Sequence, residues 1–269
     1  MKIQEIMNAW KPQTVNAKAG VEWWNGKAAH FGALTLPTAE TSMGMRLIQQ
    51  ENMIKPGGHI LDVGCGGGRF CFALEQMGAE ALGVDFSPNM IDECNHNKAE
   101  LASVANFEVC NWHTVDIEAN GWSKGFDLVL AHMTPAIVSA ETFMKLSQAS
   151  RDWCLMVKPT RRTNIVLDGL HKALGFEQEA QSLNETVAYA FDLLWLSGMN
   201  PKMDYEDQIW KNEQPLEKAI QEYTARIESY HELSAKDKEI IRAYLTDISE
   251  NDVVKETTNT LIAAMYWNV

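Results

Sequence analysis

The sequence predicts an α/β fold in which a mostly parallel sheet is covered on both sides by helices, a Rossmann-like doubly wound arrangement. Residues 59–158 alternate short apolar runs with helix-like segments, the pattern of parallel strands joined by crossover helices. One of these runs ends in a cluster of glycines, typical of a strand–turn–helix unit that binds a ligand at the sheet edge. The chain has 269 residues and is 46% hydrophobic, which suits one large domain with additions or two small ones.

Five apolar runs are predicted to be strands because they are short, apolar and bounded by turn residues. They are His59–Val63 and residues 81–84, 107–109, 126–131 and 153–157. Ser87 followed by Pro88 is a helix start, with a capping hydroxyl and a proline at the first helical position. We expect Thr134 and Pro135 to start a second helix in the same way, running through Ile137.

The flanks of this alternating region have a different pattern. Residues 1–50 carry scattered aromatic side chains among polar ones, which predicts an N-terminal helical cover. After Pro159 the alternation stops, and apolar residues recur at helical spacing around residues 187–195, 216–227 and 240–248. Residues 261–267 are apolar and predict a last strand. We therefore divide one integrated domain into a cover (1–50), a ligand-binding core (51–160) and helical additions, including a lid, with the last strands (161–269).

The motif that carries chemistry lies between Ile60 and Phe70. Its glycines form G-x-G-x-G at Gly64, Gly66 and Gly68, whereas the dinucleotide fingerprint requires glycine at positions one, three and six. Position six here is Arg69, so a nicotinamide cofactor is disfavoured. Asp85 ends the next strand, where a carboxylate can accept hydrogen bonds from both hydroxyls of a ribose. A ribose without a pyrophosphate describes S-adenosylmethionine better than NAD.

The segments ILDVGCGGGRF and GVDFSPNMI together resemble the class I S-adenosylmethionine-dependent methyltransferase family over about residues 20–160. The resemblance implies a seven-stranded sheet with a final antiparallel strand, S-adenosylmethionine as cofactor and S-adenosylhomocysteine as product. It also implies cofactor-binding roles for Asp62, Gly64, Cys65, Gly66, Gly68, Asp85, Phe86, Asn111, Trp112 and Ala131. Many relatives carry an acidic residue at the Asn111 position, where the amide oxygen can still accept a hydrogen bond. Trp112 stacks on adenine or is a core aromatic.

In the family, the loop after the fourth strand lies by the reactive methyl group. His132 is therefore the candidate for a catalytic base or orienting donor on the substrate side, with a histidine bonded to nearby backbone as the alternative. Thr134 lies in the same loop. The loop is not of the N-P-P-Y type that similar enzymes use on base nitrogens, which disfavours a nucleic-acid substrate.

Several aromatic and basic residues are candidates for the acceptor side, and each also has a structural interpretation. Trp24 and His30 contact the cofactor or acceptor, or pin the N-terminal cover to the core. Four aromatic residues line an acceptor pocket under the helical lid or are core residues: Tyr189, Trp195, Tyr205 and Trp210. The local basic cluster of Lys158, Arg161 and Arg162 meets an acidic acceptor or is a solvated loop.

Charge limits the partners. The net charge is −13, which disfavours a phosphate backbone or an anionic membrane surface. Residues 200–256 hold 8 basic and 14 acidic side chains, so the acidic excess is expected to face the acceptor. The N-terminus lacks the apolar core of a signal peptide, and the five cysteines form no C-x-x-C pair, which predicts a cytoplasmic protein without a bound metal.

The function predicted from the sequence is transfer of a methyl group to a small molecule by a monomer or homodimer. Methylation of a protein or RNA, and a non-catalytic S-adenosylmethionine-binding module, remain alternatives.

Overall fold

The protein is described by a computed structural model over residues 2–11, 35–176, 181–228 and 230–269. Seven strands lie in these ranges: β1 His59–Val63, β2 Glu80–Asp85, β3 Asn106–Val109, β4 Phe126–His132, β5 Ser150–Asn164, β6 Lys202–Pro215 and β7 Val253–Asn268. They form a sheet of order β3-β2-β1-β4-β5-β7-β6. The first five strands are parallel, and β7 runs antiparallel to both β5 and β6. The prediction of a seven-stranded, mostly parallel sheet with an antiparallel last strand is confirmed.

Helices cover both faces of the sheet. The described helices are α1 Ile3–Ala9, α2 Met43–Gln50, α3 Arg69–Gln76, α4 Pro88–Leu101, α5 Ala140–Ala149, α6 Ile165–Leu174, α7 Gln181–Leu196, α8 Leu216–Glu228 and α9 Ala235–Ile248. Successive side chains of a strand point to opposite faces. Leu61 and Val129 thus pack under α1, α5 and α7 on one face, while Ile60 and Leu130 pack with α2 and α3 on the other.

The helix starts show one prediction confirmed and one wrong. Ser87 caps α4, its hydroxyl accepting from the Met90 N–H at 3.2 Å, and Pro88 is the first helical residue. Thr134 and Pro135 do not start a helix, because α5 begins at Ala140. Its cap is Ser139, whose backbone N–H donates to Thr142 Oγ1 at 3.0 Å while its own hydroxyl accepts from the Thr142 N–H. This reciprocal capping satisfies two N–H groups that a helix start leaves unpaired.

The last three strands are longer than the apolar runs predict. β5 does not stop at Pro159 but continues to Asn164, where it pairs with Thr258 of β7. β6 was not predicted as a strand at all, and Trp210 lies within it, not on a helix. Helices α6, α8 and α9 pack together as a lobe beside these extensions through a separate apolar cluster that includes Leu170, Tyr223 and Leu245. The helical additions are therefore built on an extended sheet.

The N-terminal cover is only partly described. α1 packs on the face of α5 and α7, where the Trp10 ring lies 5.5 Å from that of Phe143. α2 lies on the opposite face. Within the described ranges, no helix is both long enough and apolar enough to cross a bilayer.

Candidate functional site

A cavity of about 470 Å³ opens at the carboxyl ends of β1, β2 and β4. The strands and the turns after them contribute Asp62, Gly64, Gly66, Asp85, His132 and Thr134 to its wall. The segment that leads into α2 contributes Leu36, Pro37 and Met43, and the strands β5, β6 and β7 contribute Val157, Gln208, Trp210 and Ile262. The cavity therefore joins the glycine-rich turn at one end to the long antiparallel strands at the other.

The glycine-rich turn forms the floor of the first end. Gly64 has a φ of +71°, and a Cβ atom there would overlap Thr134 Oγ1. Gly66 has a φ of +53°, and a Cβ atom there would meet no atom within 4 Å. The first glycine is thus required by packing, whereas the second leaves open space in which a ligand can approach the backbone.

Asp85 is held beside this turn by two backbone groups. Its carboxylate accepts from the Gly66 N–H at 3.1 Å and from the Ser87 N–H at 2.9 Å. Burial raises the pKa of Asp85, and these two N–H donors oppose the shift. Phe86, the next residue, also lines the cavity. The carboxylate is therefore oriented by the backbone while it still reaches the cavity.

Asp62 is more deeply buried than Asp85. Burial, together with the nearby Asp85 charge, raises the pKa of Asp62 to about 7, and the Cys71 thiol donates to its Oδ2 at 3.8 Å. A buried carboxylate without a full positive partner is costly. Arg69 lowers the pKa of Asp62 only weakly. A cationic group bound in the cavity would stabilise the ionised form of Asp62.

Arg69 lines the cavity and was not singled out from the sequence. It is the first residue of α3, directly after Gly68. Its positive charge acts on two cavity residues, lowering the pKa of both Asp62 and His132. The sign that could have identified it is its position, since the residue after the last glycine of such a turn begins the helix that faces the ligand.

His132 lies deep in the wall of the cavity. Its ring is 4.3 Å from that of Phe70, and it approaches the backbone of Gly44 in α2. Burial, assisted by Arg69, lowers the pKa of His132 to about 3. The imidazole is therefore neutral at physiological pH. Thr134, in the following turn, is also at the cavity, and its Oγ1 accepts from the Ala136 N–H at 3.1 Å.

Cys65 lies in the wall, while two thiols lie behind it. Cys94 Sγ donates to the Gly66 carbonyl oxygen at 2.9 Å, and Cys71 reaches Asp62. Burial raises the pKa of Cys71 well above its usual range. Through these contacts the two thiols support the backbone of the turn and the buried carboxylate behind it.

Four of the predicted cofactor residues are not brought to the cavity. Gly68 caps α3 and meets Phe107, and Ala131 is fully buried within β4. Asn111 is exposed, and its side-chain oxygen accepts from the His113 N–H at 3.0 Å. Trp112 is 2% exposed, and its indole N–H donates to the Thr142 carbonyl at 2.9 Å. Trp112 thus lies within the apolar cluster of the core, as the structural interpretation of this residue expects.

The acceptor-side candidates are also separated by the structure. Tyr189 packs on Trp10 at 6.2 Å between ring centroids, and Trp195 is 59% exposed beside Phe191; both lie on α7, away from the cavity wall. Tyr205 is exposed on β6, whereas Trp210 lines the cavity. Trp24 and His30 lie outside the described residues.

The acidic excess of residues 200–256 does not reach the cavity. The two side chains that this segment contributes to the wall are Gln208 and Trp210, which are both uncharged. The expectation that the negative charge faces the acceptor is therefore wrong. The β6 acids follow the solvent-exposed side or pair with other groups, as Glu206 does with Arg46.

Comparison with known proteins agrees with the fold and the turn. Residues 54–186 match the family described as a methyltransferase domain. A ubiquinone biosynthesis O-methyltransferase of Coxiella burnetii is 36% identical over 98 residues, which are 36% of this chain and 37% of that protein. The match thus spans little more than a third of the relative's length. An uncharacterized protein of Haemophilus influenzae is 24% identical over 257 residues, 91% of this chain and 88% of that one.

A solved structure from Bacillus halodurans C-125, described as a candidate methyltransferase, superposes with a TM-score of 0.51 at 11% identity. The superposition covers 83% of this chain and 97% of the other, so it supports the fold. Residues 54–186 therefore form a methyltransferase domain, and the strand order and the G-x-G-x-G turn are those of the class I S-adenosylmethionine-dependent methyltransferase family.

Proposed function

We propose that the protein transfers a methyl group from S-adenosylmethionine to a small molecule held in the cavity at the carboxyl ends of β1, β2 and β4. The observation that carries this proposal is the joining of the glycine-rich turn and the Asp85 carboxylate with a separate, largely apolar end walled by β5, β6 and β7. One end suits a cofactor with a ribose, and the other offers space for an acceptor next to it.

The charges at the first end fit the cofactor. Asp85 would accept from the ribose hydroxyls, since the backbone already fixes the orientation of its carboxylate. Asp62 and Arg69 lie at one cavity wall, as a zwitterionic amino-acid end requires: Arg69 for the carboxylate, and Asp62 for the ammonium, whose charge would favour the ionised form of this carboxyl. Phe86 offers an apolar surface for adenine.

When bound, S-adenosylmethionine supplies a methyl group on a sulfonium, which is a good leaving group. The chain's own residues then contribute mainly position. Alignment of two reactants can be worth roughly 7–11 kcal/mol at best, so a strong catalytic base is not required. The apolar side chains of Phe70, Val157 and Ile262 line the region between the two ends and would exclude water from it once both ligands are bound.

His132 orients groups in the cavity and does not act as a base. Because the pKa of His132 is lowered to about 3, its ring binds a proton only weakly at physiological pH. A neutral imidazole can still donate one hydrogen bond and accept another. An acceptor that arrives protonated would have to lose its proton to solvent, not to His132.

The size of the cavity favours a small acceptor over a macromolecule. A volume of about 470 Å³ lies within the range of small-molecule sites, roughly 300–1,000 Å³. The segment before α2 and the β6 edge both contribute to the wall, which encloses the acceptor end. The matched ubiquinone biosynthesis O-methyltransferases support a metabolite acceptor, but their match is too short to identify it.

Calorimetry with S-adenosylmethionine, S-adenosylhomocysteine and NAD tests the cofactor. The expected result is binding of the first two and not of NAD; the reverse would overturn the proposal. A methyl-label transfer screen over metabolite and macromolecular fractions then tests the acceptor. Label in a low-mass fraction supports the proposal, and label confined to protein or RNA contradicts it.

A further inference from the structure

Arg162 is a half-buried cation that the described residues leave without a hydrogen-bonded partner at its Nε. The Nε atom is buried and has no acceptor. Burial, with Arg226 nearby, lowers the pKa of Arg162. A buried donor without a partner costs about 1–3 kcal/mol, and more when the group is charged. In a protein with 36 acidic residues, this cost calls for an explanation.

The carboxylate of Glu256, whose charge acts on Arg162, already accepts hydrogen bonds from other groups. Glu256 attracts Arg162 only at a distance, because its two oxygens serve other groups. Glu256 Oε2 accepts from the Tyr223 hydroxyl at 2.6 Å, and Oε1 accepts from Thr258 at 3.2 Å and from the Asn164 amide. The carboxylate therefore holds β5, β7 and α8 together and does not neutralise Arg162.

Arg162 adjoins the cavity through Trp210. Its guanidinium carbon lies 4.8 Å from the centroid of the Trp210 ring, and Trp210 is part of the cavity wall. The ring is fixed in place, since its indole N–H donates to Gln208 Oε1 at 2.8 Å and Gln208 in turn donates to Glu206 Oε1 at 2.6 Å. Glu206 also accepts from Arg46 at 3.4 Å.

The positively charged guanidinium of Arg162 therefore lies on the fixed ring of Trp210, at the end of the cavity that is far from Asp62. The cavity residues at that end, among them Gln208 and Ile262, carry no negative charge. A guanidinium offers planar, paired donors that match carboxylate and phosphate oxygens. An aromatic ring beside it offers a surface for a flat organic group.

We propose that the methyl acceptor carries an oxyanion, a carboxylate or a phosphate, which pairs with Arg162 while the body of the acceptor packs on Trp210. The proposal rests on the proposed function, because it assigns the acceptor end of the same cavity. It makes Arg162 a specificity-determining residue, because the oxyanion pairs with the terminal nitrogens of a guanidinium that lies against the cavity-lining ring of Trp210.

The test is a calorimetric titration of the full chain, loaded with S-adenosylhomocysteine. The affinities of benzoate, phenyl phosphate and the neutral benzamide are measured separately. We expect benzoate or phenyl phosphate to bind at least about tenfold more tightly than benzamide. Whichever of the two binds more tightly identifies the oxyanion. Arg162→Gln should remove this preference, and Arg162→Lys should retain part of it.

Arg161→Gln is the matched control, because it removes the same charge from the exposed neighbouring residue. It should leave the preference intact. Equal binding of benzamide, no binding of either anion, or an unchanged preference in Arg162→Gln overturns the proposal. If S-adenosylhomocysteine itself does not bind, the proposed function fails, and this inference with it. If it binds and the anions show no preference, only the inference about Arg162 fails.

Discussion

The two ends of the cavity are built in different ways. The cofactor end comes from turns that follow directly after β1, β2 and β4, so Asp62, Gly66 and Asp85 lie within 24 residues of sequence. The acceptor end brings Val157, Trp210 and Ile262 together from three strands that are distant in the chain. One end is therefore a product of local conformation, and the other of long-range pairing.

The two ends also handle charge differently. Asp62 and Asp85 are buried carboxylates whose pKa values are raised by burial, so this end is poised for a positive group. Arg162 is half-buried against the ring of Trp210 at the other end, and it is the cation that we propose to pair with an anionic acceptor. In both places a nearby opposite charge offsets the buried group only in part, Arg69 for Asp62 and Glu256 for Arg162, and perturbed pKa values of this kind are common at functional sites.

The largest expected effect is at Asp62. Its pKa rises from 3.8 to about 7 on folding, so the folded state prefers the protonated form. The contribution of Asp62 to stability is therefore most favourable below about pH 4, is lost as pH rises toward 7, and stays reduced above 7. Asp62→Asn lacks this loss and should be more stable than wild type at about pH 8.5, by up to ~4 kcal/mol.

Thermal denaturation of the ligand-free protein at about pH 8.5 and about pH 5 measures this effect. The gain in Tm should shrink at the lower pH, while cofactor affinity should fall at both. Asp92→Asn, an exposed site on α4, is the control and should change neither quantity. An equal gain in Tm at both pH values would show that Asp62 is not a buried titrating group.

The next effect is at Asp85. Asp85→Ala removes the proposed acceptor of two hydroxyl hydrogen bonds, each worth about 1.5–3 kcal/mol when the acceptor is charged. Affinity for S-adenosylhomocysteine should fall by about 100-fold, measured by calorimetry, with far-UV circular dichroism unchanged. Asp92→Ala should bind like wild type. Retained affinity in Asp85→Ala would remove this carboxylate from the site.

A smaller effect at the acceptor end sharpens the contrast. Trp210→Leu should leave the affinity for S-adenosylhomocysteine within about twofold, since the ring is at the other end of the cavity. Methyl transfer to the acceptor found by the label screen should fall by about tenfold, because a large apolar contact is lost. Ile209→Ala is the control, since Ile209 is exposed on the neighbouring β6 position. Loss of cofactor binding in Trp210→Leu would mean that the two ends are not separate.

The smallest effect is at His132. His132→Gln keeps a donor and an acceptor, so methyl transfer should fall by less than about tenfold and its pH dependence should not change between about pH 6 and about pH 9. A general base would contribute on the order of 10²–10⁴-fold. A loss of that size, together with a shifted pH profile, would restore His132 as the base.

Prediction from the sequence succeeds better at the cofactor end, which local turns form, than at the acceptor end, which distant strands form. β1 is found with its observed bounds, and Ser87–Pro88 starts α4 as expected, because glycine, proline and capping hydroxyls act on their immediate neighbours. Thr134–Pro135 has the same pattern and fails. The Thr134 Oγ1 accepts a hydrogen bond from the Ala136 N–H, which stabilises a turn. The helix begins only after Ser139, which forms a reciprocal cap with Thr142.

β6 was missed because its sequence gives little periodic signal. Residues 202–215 carry charged side chains at many positions, as is common on the edge strand of a sheet. Its strand character comes from pairing with β7 along its whole length. This pairing places Trp210 in the cavity wall and Arg162 beside it, and the local sequence pattern predicts neither contact.

The amino-acid sequence alone determined the fold class, the glycine-rich turn and the proposed cofactor carboxylates, since these depend on backbone conformations and strand ends encoded within a few residues. Only the tertiary structure decided that Trp112 is a core residue, that Tyr189 and Trp195 lie away from the cavity, and that Arg162 meets Trp210. The physical reason is that burial and charge neutralisation depend on which distant strands pair, and pairing is a property of the whole sheet.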